Sequence, residues 1–370
     1  MKQALNRSIV LLSLLSTLLW SLHGLSMYFV PLFVHDILSS NTSQKLYVQW
    51  IYELYPRLQV EKWRFTESFF TAKASQIALR ITACLQLMIL YFIFSFFTKP
   101  LLKKIKHTLF EVSVSRTYVP YITLLLYSNL LLVIYNAMIE FKDLLYFSPF
   151  YQAVGIGKIL LPAFPSLYAL WMIYGLLIAS IIAVICFPNK WISSCIAAIC
   201  FIYYQLILFG FGKYDHGFST LTYALLIYPI FLWEVEKTND EKIDAWTISL
   251  IQCMICLSYF YCGIEKLFTS GADWIYSDNL KQHLLIHHTT LGLQLASHGI
   301  LCHWLSFGVI LLQCSFILLP FYKKLKYILL PAGILFHTTA WILLDAGGWF
   351  NPWWGVYLFF LFPLQLRETR

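Results

Sequence analysis

The chain has 370 residues, of which 59% are hydrophobic and only 12% are charged, with a net charge of +8. Soluble domains carry about 25% charged residues, so half that density cannot coat a water-facing surface of this size. The same figures exclude disorder, collagen and coiled coil. The modest positive charge, clustered beside apolar stretches, argues against a nucleic-acid partner.

Runs of about 20 apolar residues, bounded by charge, Pro or Gly, predict membrane-spanning helices. In chain order they are 8–34, 76–97, 118–139, 165–187, 191–211, 217–234, 245–267, 298–320, 325–346 and 350–366. The expected fold is all-α: a polytopic integral membrane helix bundle of about 10 transmembrane helices, with the lipid bilayer as its partner. The first run follows Lys2 and Arg7 but is too long for a cleaved signal and lacks a small-x-small site, so a retained helix is expected. No internal repeat stands out, and residues 1–370 read as one membrane domain.

Basic residues near span ends orient the chain. Lys2 and Arg7 precede the first span. Lys99, Lys103, Lys104, Lys106 and Arg116 separate the second and third. Lys323, Lys324 and Lys326 separate the eighth and ninth, and Arg367 and Arg370 follow the last. With an even span count all four clusters share one side, which puts both termini in the cytoplasm. The long extracytoplasmic segment, 35–75, carries Trp50, Tyr52, Tyr55, Trp63 and Phe65 and reads as an interfacial aromatic loop. The protein is expected to be an integral, multi-pass membrane protein, in the inner or plasma membrane if its source is bacterial.

The nine cysteines sit in apolar surroundings, and segment 35–75 has none, so no disulfide framework is expected. Cys253-Met-Ile-Cys256 has redox-motif spacing but lies in an apolar run, where thiols act as small packing residues.

Ionisable groups within spans are functional candidates by default. Lys266 lies in the last turn of the seventh span. Tyr259, Cys262, Gly263 and Lys266 share one helix face by their i, i+3, i+4 and i+7 spacing. A small and polar stripe faces a bundle interior more often than lipid. There Lys266 can serve as a base when neutral, or instead snorkel to the headgroups as a structural anchor. His216, after Gly212-Lys213-Tyr-Asp215, is either a loop histidine or a hydrogen-bond donor to a ligand oxygen. His337, deep in the ninth span, is either a satisfied core histidine or part of a pocket.

His283-Leu-Leu-Ile-His287-His288 followed by His298-x4-His303 resembles the histidine boxes of membrane desaturases and hydroxylases. Only two closely spaced pairs are present, the third box is missing and no carboxylate lies among them. No metal is therefore expected, and an interfacial His-rich segment is the simpler reading.

Tyr259-Phe-Tyr-Cys-Gly263-Ile-Glu-Lys266-Leu, followed by Ala272-Asp273-Trp274, resembles the signature of the horizontally transferred transmembrane (HTTM) domain family, related to vitamin K-dependent γ-carboxylase. Gly212-Lys213-Tyr-Asp215-His216 is similar to the family's Asn-His turn. Phe336-His337 with Trp349-Phe350 is similar to its later Phe-His segment. The likeness is clearest over residues 205–360. Glu265-Lys266 replaces the family's Lys-Lys, and Asp215 replaces its Asn.

The resemblance implies that Lys266 is the base that deprotonates a reduced, vitamin K-like quinone and that His216 stabilises the quinone oxygen. It makes Tyr259, Gly263, His337 and Trp274 pocket residues. It further implies carbon dioxide and dioxygen as co-substrates and a secreted peptide or protein as acceptor. Length brings the chain closer to the short bacterial members, some similar to maturation factors of secreted peptides. Two alternatives stay open: a non-catalytic membrane partner or maturation factor on the same scaffold, and a di-metal membrane oxidase using His283–His303.

Overall fold

The structure is a computed structural model and describes residues 2–39, 45–54, 58, 62–64, 66–97, 103, 106–107, 109–139, 141–211, 216–348 and 351–366. Among them nine helices are long and apolar enough to cross a membrane. They are α1 (Lys2–Leu38), α2 (Glu67–Phe97), α3 (Tyr118–Ile139), α4 (Leu167–Cys186), α5 (Trp191–Phe209), α6 (His216–Lys237), α7 (Trp246–Ser270), α8 (Gly299–Ser315) and α9 (Lys326–Leu344). A shorter helix, α10, spans Pro352–Leu358, and three short strands are β1 (Val112–Ser115), β2 (Lys242–Asp244) and β3 (Gln365–Leu366).

Helix α4 shows why these segments belong in lipid. Leu170, Tyr174, Leu177, Ile181 and Val184 recur every three or four residues and are buried. The opposite face bears Tyr168, Trp171, Met172, Leu176 and Ile182, all exposed. A helix apolar on both faces has no polar side to offer water, whereas in hydrocarbon the outer face is already solvated. Ser166 caps its start by accepting a hydrogen bond from the Ala169 N–H at 3.3 Å.

The contacts divide the chain into two units, Met1–Ile105 and Lys106–Arg370. The first is an antiparallel pairing of α1 and α2. Ser16 donates to Gln86 Oε1 at 2.6 Å, Thr82 Oγ1 meets His23 Nδ1 at 3.1 Å, and His35 Nδ1 lies 3.3 Å from Glu67. Polar pairs of this kind hold helices together where lipid removes the hydrophobic drive between them. The expected aromatic loop at 35–75 is shorter than its sequence suggests. Helix α1 continues to Leu38, residues Leu46–Leu54 are helical, and α2 begins at Glu67.

In the second unit the strands form one antiparallel sheet in the order β2-β1-β3. Ser113 pairs with Asp244 and with Gln365, so β1 is the central strand. Val112, Val114 and Ile243 are each 1% exposed and extend the helical core into the sheet. The sheet fastens the entry to α3, the turn between α6 and α7 and the chain after α10 to one end of the unit. Lys323 Nζ donates to Leu364 O at 2.8 Å, and Lys190 pairs with Glu236 at 2.6 Å, adding the turns before α9 and between α4 and α5. Within the second unit the segments 112–116, 187–190, 238–245 and 323–325 thus lie at one end. In a cysteine-free background, Asp240→Cys at this end should react with impermeant maleimide only after permeabilisation. Ser277→Cys, beyond the far end of α7, should react from outside. The reverse pattern would invert the topology.

Of the tenth span expected at 350–366, the described residues, 351–366, form no helix of spanning length. Helix α10 and the 3-10 turn Phe359–Leu361 together cover only ten residues, or roughly 15 Å of a core about 30 Å thick. Asn351 caps the start, with its side chain accepting from Trp353 N at 3.0 Å and Pro352 following. At the other end Pro363 forces Phe362 to an extended conformation. The short helix is nonetheless central. A Cβ on Gly355 would lie 2.7 Å from Asn129 of α3 and 3.5 Å from Leu221 of α6.

Candidate functional site

The stripe on α7 organises the site. Tyr259 is 3% exposed, and its hydroxyl meets His337 Nε2 of α9 at 2.5 Å and the hydroxyl of Tyr357 of α10. Three helices therefore converge on one polar trio inside the apolar bundle. Its walls are aromatic. The Tyr259 ring stacks on Phe316 with centroids 4.0 Å apart, and His337 stacks on Trp353 at 5.1 Å. A buried hydroxyl or imidazole without a partner is costly, and Tyr259 supplies that partner to both His337 and Tyr357. Shared hydrogens between two phenols and an imidazole can also move a proton across the trio.

One turn along the stripe, Gly263 lets α7 approach α8. A Cβ there would lie 2.8 Å from Cys314 Sγ and 3.1 Å from the Cys314 backbone nitrogen. Small residues at helix crossings serve this purpose in membranes.

Lys266 follows four residues before α7 ends at Ser270, two turns or roughly 10 Å from Tyr259 and toward the end of the helix remote from the sheet. It is half-buried. Its Nζ donates to Cys262 O at 3.1 Å and lies 5.4 Å from the centroid of the Trp274 ring. The carbonyl bond ties the ammonium back onto its own helix, and the cation–π contact holds it against the Trp274 face. An ammonium has three donors, so one hydrogen bond leaves capacity for a ligand oxygen. Gly271, with φ +60°, turns the chain so that Trp274, in the short helix Asp273–Tyr276, comes back over Lys266.

The sequence-predicted residues thus form two groups. Tyr259 and His337 meet directly, Lys266 and Trp274 meet directly, and Gly263 packs between them on the shared stripe. His216 opens α6, but its side chain, like Lys213, Asp215, Trp349 and Phe350, lies outside the described residues. Tyr357, Trp353 and Phe316 complete the trio and its walls and were not anticipated. The signal for two of them was present: Trp353 and Tyr357 are four apart after an Asn-Pro helix start, which places both on one face of α10.

The histidine cluster is dispersed. His283 and His287 lie on the helix Asn279–His287, His288 ends it with φ +53°, and His298 precedes α8. His303 lies 3.5 Å from Asp278. Among the described residues no three His, Cys, Asp or Glu side chains converge on a point that could hold a metal ion. Each of the nine cysteines is free.

No family model, characterised protein or solved structure matches the chain.

Proposed function

We propose that this multi-pass membrane protein is an HTTM-type enzyme related to the vitamin K-dependent γ-carboxylases, acting on a secreted peptide or protein at the extracytoplasmic face. The observation that carries the reading is the pairing of Lys266 with Trp274, two turns above a buried Tyr–His–Tyr trio. A cation with spare donors beside an indole face is a chemically suitable holder for an oxygenated aromatic ring. When bound, a reduced quinone would supply reducing equivalents and an acidic hydroxyl, with dioxygen and carbon dioxide as co-substrates. Lys266 would take the hydroxyl proton, which requires its neutral form. Trp274 would orient the ring. Tyr259, His337 and Tyr357 would hold the helices that carry the site and exclude water beneath it. His216 enters the reading through the resemblance alone.

A second reading is favoured by the bond from Lys266 to Cys262 O. That bond folds the lysine back onto its own helix as a structural side chain, as a non-catalytic maturation factor on the same scaffold would require.

The two readings part on Lys266→Arg. Arginine keeps the charge and the reach but does not lose its proton at ordinary pH. Protein in nanodiscs, supplied with a reduced naphthoquinone, should show quinol-dependent oxygen uptake. Lys266→Arg should fold normally and lose about 10²-fold or more of that rate. Equal rates in the two proteins would make Lys266 an anchor and sink the catalytic assignment.

A further inference from the structure

Two cavities adjoin at the sheet end of the second unit. One has a volume of about 210 Å³ and is lined in part by Ser249, Gln252, Lys323, Lys326 and Gln365. The other is an apolar groove of about 620 Å³ between α9 and α10, walled by Leu330, Pro331, Ile334, Trp354, Tyr357 and Leu361. Lys326 and Phe360 line both, so the polar chamber and the groove are neighbours across these two side chains. From Lys326 to Ile334 the groove follows α9 for roughly 12 Å, close to the depth of one leaflet of a hydrocarbon core about 30 Å thick.

We infer that this end of the protein holds one anionic phospholipid, its phosphate in the chamber between Lys323 and Lys326 and an acyl chain along the groove. The inference does not involve Lys266 and goes beyond the enzymatic reading. Charge decides the class of lipid. Neither lining contains an Asp or Glu among the described residues, while two lysines three positions apart bring like charges together. These lysines also crowd the start of α9, where no acidic side chain lies in the first turn and no side chain caps the helix. Basic charge at a helix start is unfavourable by itself, and a bound phosphate would offset both repulsions. A free phosphate would satisfy the chamber but leave the groove unused. A zwitterionic lipid would fill the groove but return a positive charge to the chamber.

The groove also gives the lipid a structural role. Tyr357 lines the groove and bonds to Tyr259, so a chain lying there would press α10 against the trio.

The test uses the full chain in mixed vesicles of phosphatidylglycerol and phosphatidylcholine, followed by gentle detergent extraction and native mass spectrometry. One phosphatidylglycerol per chain should be retained in preference to phosphatidylcholine, and adding that lipid should raise the melting temperature. The double variant Lys323→Gln/Lys326→Gln should weaken retention by about tenfold or more, whereas Lys323→Arg/Lys326→Arg should keep it. Leu330→Trp, which fills the groove, should abolish retention with both lysines in place. Equal retention of the two lipids by the unaltered protein would overturn the inference, whatever the variants do. So would full retention by Leu330→Trp or by the Gln double variant. Stabilisation by inorganic phosphate equal to that by phosphatidylglycerol would reassign the chamber to a free anion.

Discussion

Tyr259→Phe should destabilise the second unit by about 1–3 kcal/mol, the range for a buried polar group left without its partner. The ring itself is retained, so its stacking on Phe316 at 4.0 Å persists and little packing is lost. What disappears is the one hydroxyl that serves two others. His337 is 8% exposed and Tyr357 6%, so water cannot substitute for the lost oxygen. Tyr357→Phe should cost less, because Tyr259 and His337 keep their 2.5 Å contact. A double variant, Tyr259→Phe with His337→Leu, removes both partners and should recover part of the loss. Unfolding in detergent micelles, followed by helical circular dichroism, measures all of these. A Tyr259→Phe protein within about 0.5 kcal/mol of the parent would show that the trio contributes no net stability.

Gly263→Ala and Gly308→Ala should move stability in opposite directions, although both add one methyl to a helix. At Gly263 the methyl meets Cys314 Sγ at 2.8 Å, Gln313 Cβ at 3.0 Å and a backbone nitrogen at 3.1 Å. The thiol can rotate, but the backbone cannot yield without parting α7 from α8. Overpacking of this kind costs typically 1–3 kcal/mol. At Gly308 of α8 nothing lies within 4 Å of the new Cβ, so only the helix propensity of alanine is felt, a gain of up to about 1 kcal/mol. The same unfolding measurement decides. A neutral Gly263→Ala would mean that the crossing of α7 and α8 is looser than the contacts describe.

Much of this fold is legible in the sequence because bilayer crossing demands long apolar runs, and nine such runs emerge as helices, although α2 begins at Glu67 rather than near residue 76. The α7 stripe is legible for a similar reason: helical periodicity alone brings Tyr259, Gly263 and Lys266 to one face. The sheet is not legible. Its strands are four residues or fewer, and Val-Ser-Val-Ser in β1 carries too little pattern to announce a pairing with residues far along the chain. The fate of residues 350–366 was obscured by composition. The stretch is apolar enough to suggest a span, while Pro352 and Pro363 mark where its helical part begins and ends. Tyr357 was missed because an aromatic residue in an apolar helix reads as packing. Only tertiary structure shows that its hydroxyl meets another.

The strand order has a consequence for how the protein is made. The central strand β1 is synthesised first, β2 roughly 130 residues later and β3 roughly 250 residues later, at translation rates of about 5–20 residues per second. Val112 and Ser113 therefore emerge with both edges open and wait on the order of 10–50 s for their last neighbour. Until β2 emerges α3 to α6 enter the membrane without the clasp that gathers their connections, and α7 to α9 follow with only β1 and β2 available to pair. Insertion and closure become separate events in time, and the last one is set by the ribosome rather than by the lipid.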